Sequence, residues 1–264
     1  MRNLIQVAIF EFKENIRNKW IFAYGIFFFL ISSLLIYFGG NESAKIIASL
    51  LSIILLLVPL FALLFGSMNF LDSMSFMEVI FTRPISRLQY FNGKWFGLSF
   101  ALNIGYLLGA GLPILLFTNP ESKLIHLSVQ LLLYGMLLNW VFISIAILVA
   151  ITFVKREVVL SMSLAIWFYL YLLYDLIMLG VSINFGEYPL EVPILILTCI
   201  NPLDLVRIIT ILQMDNAVLL GFTSAFFQKY LGNTNGIILC ITFLNIWAIL
   251  PFYIGYRVFK KKDL

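Results

Sequence analysis

Asp175, in the run Tyr174-Asp175-Leu176-Ile177-Met178, is the one ionisable side chain well inside an apolar stretch of this sequence. A carboxylate at such a depth is costly unless it is paired or wetted. That leaves two roles open, a structural hydrogen bond near a helix end or the guiding of a cation and the gating of an opening. A second grouping is Asn201-Pro202-Leu203-Asp204-Leu205-Val206-Arg207. It reads as a helix start, with asparagine at the cap, proline in the first helical position and aspartate in the first turn. Asp204 and Arg207 also stand one turn apart, where opposite charges pair. Asp175, Asn201, Asp204 and Arg207 are therefore candidates for one outer vestibule. The soft donors Cys199, Met178, Met214 and His126 suit copper(I). Their spacing defines no metal site, and Cys199 and Cys240 match no metal or redox pattern.

Several chemistries are excluded. There is no Gly-x-x-x-x-Gly-Lys-Ser/Thr, and Gly93-Lys94 lacks the earlier glycine and runs into Trp95, so the chain has no phosphate cradle. His126 is the only histidine, and no serine, cysteine and histidine set suggests hydrolysis. The chain is expected to be no enzyme and to bind no cofactor. If ATP and Mg are used, another subunit holds them.

The elements that must position these residues follow from composition. Hydrophobic residues make up 62% of the 264, charged residues 11%, and mean hydropathy is +1.03. A soluble core cannot absorb that much apolar surface, so the fold expected is an all-α polytopic membrane protein. Roughly 20 apolar residues cross the hydrocarbon, and six stretches qualify: 20–38, 46–65, 95–117, 124–153, 158–181 and 236–259. One membrane domain over 1–264 is expected. Before the first span, residues 1–19 form an amphipathic segment with Ile5, Ile9, Phe12, Ile16 and Trp20 on one stripe, the pattern of a helix lying in the membrane interface. Between the fifth and sixth spans, 182–235 holds apolar runs too short to cross, read as re-entrant outer helices shielded by protein.

Of the 17 lysines and arginines, 13 fall on one side if both termini share it, which places the termini in the cytoplasm of a cell inner membrane. Gly97, Ala101, Gly105 and Gly109 recur every fourth position on the third span, a ridge that lets another helix come close. It suits a contact within the bundle or one between two copies.

Residues 69–94 are the polar connection between the second and third spans. Phe70, Met74, Met77 and Phe81 share one helical face with Asp72, Ser75, Glu78 and Thr82 opposite, and Arg83-Pro84 ends the helix. Ser86-Arg87-Leu88-Gln89 then fits a capping box that starts a new one. These short helices, with Glu78, Arg83-Pro84-Ile85-Ser86-Arg87 and Gly93-Lys94, resemble the cytoplasmic coupling loop of ABC-2 type transporter permeases, which docks on a separate ATPase. The resemblance implies that Asp72, Glu78, Arg83, Pro84, Ser86, Arg87 and Lys94 form the docking surface. One departure is that Asp72-Ser73 stands where the family often has two acidic residues and Gly-Thr.

The wider chain resembles one branch of these permeases, the membrane subunits of the copper-assembly transporter for nitrous oxide reductase. That likeness rests on Glu11 and 17–20 near the start, the 84–94 loop, Tyr174-Asp175-Leu176 with Leu179-Gly180, Asn201-Pro202-Leu203-Asp204 with Arg207, and the ending Tyr256-Arg257-Val258-Phe259-Lys260-Lys261-Lys262-Asp263-Leu264. It implies a homodimer, two copies of a cytoplasmic ABC ATPase, and an extracytoplasmic β-helix partner that handles copper. A generic exporter of a lipid, drug or glycan stays open, as does a subunit that transmits ATPase motion without moving cargo through itself.

Overall fold

The computed structural model describes residues 2–39, 43–74, 77, 85–118, 123–185, 191–214 and 234–262. Among them are nine helices and no strand: α1 (Arg2–Ile16), α2 (Lys19–Gly39), α3 (Ser43–Met74), α4 (Arg87–Phe117), α5 (Lys123–Phe153), α6 (Arg156–Asn184), α7 (Glu191–Ile200), α8 (Pro202–Gln213) and α9 (Thr234–Lys261). Six of these, α2 to α6 and α9, are long and apolar enough to cross a membrane. The spans match the six expected stretches and run longer. α3 continues from the second span to Met74, and α4 begins at Arg87, eight residues before the expected start at Trp95. The short helix expected to begin at Ser86 is thus the first two turns of the third span.

α3 and α5 pack along their length at the centre; α6 leans on α3, α9 on α5, and α2 on α4. α3, α4 and α5 are mostly buried, while α2, α6 and α9 turn most of their surface outward. α1, the end of α3, the start of α4 and the end of α9 gather at one end of the bundle, called here the basic end.

The small-residue ridge of α4 faces helices of the same chain. A Cβ on Gly97 would lie 2.6 Å from Glu11 Cβ and 2.8 Å from the Ala8 carbonyl oxygen in α1, and one on Gly109 would lie 2.5 Å from the Gly25 carbonyl oxygen in α2. Between the two readings of the ridge, the fold adopts the intramolecular one: it seats α1 and α2. The apolar stripe then lies with Ile5, Ile9, Ile16 and Trp20 exposed, while Phe12 is half-buried against the core.

The inward face of α1 carries Val7, Ala8 and Phe12 together with two buried polar residues, Glu11 and Asn15. Glu11 accepts from Lys94 Nζ at 2.6 Å, and both side chains are almost fully buried. Asn15 donates to the Glu11 carbonyl at 2.7 Å and accepts from Asn69 Nδ2 of α3 at 2.6 Å. Burial pushes the Glu11 carboxyl above its ordinary value, with the Lys94 ammonium opposing that shift.

At the turn into α6, Val154 takes φ 57°, a left-handed conformation that costs a residue with a Cβ roughly 1–2 kcal/mol. The chain thereby reverses in two residues between α5 and α6.

Two spans carry a wide turn, Leu107–Gly111 in α4 and Tyr169–Leu173 in α6. In the second, the Tyr174 N–H reaches back five residues to the Tyr169 carbonyl, which leaves the Leu170 carbonyl without its helical donor.

Lys94→Met should lower stability by about 3–5 kcal/mol, because it strands the buried Glu11 charge. The double change Glu11→Leu with Lys94→Met should recover most of it. Thermal unfolding of the detergent-solubilised protein reads both, and a single variant as stable as the parent would remove the pair from the account.

Candidate coupling and outer sites

At the basic end, the capping box at Ser86 is closed in both directions. Ser86 Oγ accepts from the Gln89 N–H at 3.2 Å, and Gln89 Oε1 accepts from the Ser86 N–H at 3.1 Å. The polypeptide thus enters α4 at a fixed angle. Arg87 turns inward along the surface and donates to the carbonyls of Lys260 and Lys262 at 2.9 and 2.7 Å. These carbonyls lie at the end of α9, where helical acceptors have no intrahelical donor and a cation is favoured. Lys262 in turn donates to the Ile151 carbonyl near the end of α5 at 2.6 Å, and burial lowers its ammonium below the ordinary value. Asp72 lies 3.7 Å from Arg156 across the surface, with both side chains more than half exposed.

The seven residues expected to form the docking surface therefore separate. Asp72 and Ser86 are at the exposed basic end. Arg87 is half-buried and spends its donors on α9. Lys94 is inside, held by Glu11, and is withdrawn from any surface. Glu78, Arg83 and Pro84 lie outside the described residues. Leu88, which sequence reasoning passed over, is 45% exposed in the first turn of α4, between the two halves of the capping box. An apolar residue beside charged ones at a helix start is the signal that could have found it.

At the opposite end, α7 and α8 form a pair bent by 118°, and Asn201 is the residue between them. Its Oδ1 accepts from the Leu203 N–H at 3.0 Å, which caps α8 as expected. Its Nδ2 donates to the freed Leu170 carbonyl at 2.9 Å and approaches Asp204 Oδ2 at 3.3 Å. Arg207 donates to Asp175 at 2.7 Å and lies 3.1 Å from Asp204. The four residues named as an outer vestibule thus form one cluster. It ties the bent pair to the wide turn and the following turn of α6. Tyr174 donates to the Leu197 carbonyl, Trp247 of α9 donates to the Cys199 carbonyl at 3.2 Å, and Gln213 donates to Tyr134 of α5 at 2.7 Å. Beside the cluster, Ala48, Leu51, Ser52, Leu55, Tyr171, Arg207 and Ile211 enclose about 160 Å³ between α3 and α8.

His126 is exposed and bonded to Gln130 at 3.3 Å, Met214 is buried at the end of α8, and Cys199 and Met178 are half-buried. Among the described residues, no three His, Cys, Asp or Glu side chains converge to hold a metal. Cys240 is buried and unbonded to Cys199.

Six crossing helices, an interface helix clamped at one end, and a bent pair at the other define a permease-type membrane subunit. The family model described as ABC-2 family transporter protein matches residues 5–264, and the chain belongs to that family. It is similar to the "Probable ABC transporter permease protein NosY" of Stutzerimonas stutzeri, 24% identical over 99% of both chains. The protein of the same description from Pseudomonas aeruginosa is 27% identical over 80% of this chain and 82% of its own. The chain is thus a permease subunit of an ABC transporter, a class of membrane subunit that is generally not catalytic.

Arg207→Met leaves two carboxylates without their cation, one of them buried, and should cost about 3–5 kcal/mol of stability. Asp175→Asn keeps an acceptor for Arg207 at a part-exposed position and should cost no more than about 1 kcal/mol. Equal losses in thermal unfolding would mean that the cluster does not depend on its arginine.

Proposed function

We propose that this chain couples a separate cytoplasmic ABC ATPase to an extracytoplasmic process, the copper-site maturation of nitrous oxide reductase. In this reading two copies of the chain face two copies of the ATPase, which holds ATP and Mg, and both termini are cytoplasmic. An extracytoplasmic β-helix protein receives the far end and handles the copper. The reaction class comes from the resemblance of the Tyr174-Asp175-Leu176 and Asn201-Pro202-Leu203-Asp204 motifs and of the ending from Tyr256 to the copper-assembly branch, together with the permeases to which the chain is similar.

The observation that carries the coupling part is the grip of Arg87. Directly after the loop, this residue fastens the first turn of α4 to the last carbonyls of α9, and Lys262 passes the connection to α5. Force on the loop is therefore delivered to three spans together. The docking contacts themselves fall to Asp72, Glu78, Arg83, Pro84 and Ser86, with Leu88 as the apolar anchor. Lys94 contributes by seating α1, and Arg87 by transmitting.

Glu78→Lys combined with Leu88→Glu should reduce ATPase copurification at least ten-fold while the membrane subunit keeps its unfolding temperature. Arg87→Gln should leave copurification intact and lower ATP-dependent maturation, read as copper per reductase. If the first pair of changes leaves capture of the ATPase untouched, the docking surface is elsewhere. If reductase isolated from cells lacking this chain carries its full copper, the maturation role is wrong.

A further inference from the structure

α6 and α9 both lean on α5 and stand apart from each other, leaving a groove of about 450 Å³. Its floor is Ile145 and Leu148, one wall includes Ile166 and Leu170, and the other includes Trp247 and Ile254. No charged side chain lines it. Two of the lining residues hold the bent pair: the Leu170 carbonyl accepts from Asn201, and Trp247 Nε1 donates to the Cys199 carbonyl.

Helical register fixes what stands at the lower mouth. On α9 the groove-facing positions Trp247, Leu250 and Ile254 continue at the same spacing to Arg257 and Lys261, both exposed. On α6, Lys155 caps the helix three turns below Ile166 and is exposed as well. The Arg257 guanidinium lies 4.7 Å from the centre of the Tyr253 ring, which orients it at the surface. Glu157 is the acidic residue beside this mouth, and Arg156 is balanced by Asp72. Among the described residues, three cations thus face one anion. Along α9, ten residues separate Trp247 from Arg257, about 15 Å of helix. That is half of a hydrocarbon core about 30 Å thick.

We propose that the groove is a binding site for an anionic phospholipid of the leaflet at the basic end, with its phosphate on Arg257, Lys261 and Lys155 and an acyl chain against Ile254, Leu250 and Trp247. The apolar walls supply no preference among headgroups, so selectivity comes from the basic mouth. The chain end meets Leu170 and Trp247, so the lipid packs beneath the two side chains and carbonyls that hold the bent pair.

The test is native mass spectrometry of the full chain released from nanodiscs of phosphatidylcholine with one fifth phosphatidylglycerol. Wild type should keep phosphatidylglycerol in preference to phosphatidylcholine. Arg257→Gln with Lys261→Gln should weaken that retention by roughly five-fold for each charge removed. Leu250→Trp, which fills the groove and keeps the charges, should also lose it. The second variant serves if the first fails to fold. Equal retention of the two lipids by wild type, or undiminished phosphatidylglycerol on a folded variant, would overturn the site. So would a disulfide between two copies carrying Leu250→Cys in a background free of Cys199 and Cys240, since a second chain would then occupy the groove.

Discussion

A charge or a hydrogen-bonding group inside a bilayer must find its partner within the protein, and the pair of Glu11 with Lys94 is where this constraint organises the most structure. The pair sits in the contact between α1 and α4, where glycines allow the backbones to come close. α1 commits Glu11 and Asn15 to the bundle side with Val7, Ala8 and Phe12, and leaves Ile5, Ile9 and Ile16 for the interface. The segment before the first span is thereby attached to the helix that begins directly after the coupling loop. Asn15 extends the attachment to Asn69 on α3, so both flanks of the loop are fixed to one short helix.

The opposite end solves the same problem with backbone as well as charge. A wide turn in α6 frees one carbonyl, and Asn201 takes it while also capping α8. Breaking the chain's helical course at Asn201 would otherwise expose polar backbone at depth. Arg207 then sits between a carboxylate on α6 and one on its own helix. The bent pair is held by groups on α5, α6 and α9, so a change in their spacing reaches it directly. The basic end has a matching set of ties, from Arg87 to α9 and from Lys262 to α5. α5 and α9 thus carry ties both to the basic end and to the bent pair, α9 through Trp247 at its middle, a physical route between loop and bent pair along two helices.

Much of this was legible from residues alone. The apolar runs fixed the six crossings, because length and hydropathy decide what a bilayer accepts. The cap at Ser86, the cap at Asn201 and the ion pair of Asp204 with Arg207 are local, set by residues within four positions of each other, and they are as expected. What only the tertiary structure decided lies between distant residues. Gly93-Lys94 resembles the end of the family's coupling loop, which made Lys94 a docking residue, yet its partner is 83 positions away. The ridge of α4 could have faced a second copy, and packing chose α1 and α2. Asp175 looked like a lone buried charge until α8 brought Arg207 within 2.7 Å. Sequence periodicity reports which face of a helix is apolar and where it caps, but pairing of polar groups across helices depends on rotation and depth, which are set by the whole bundle at once.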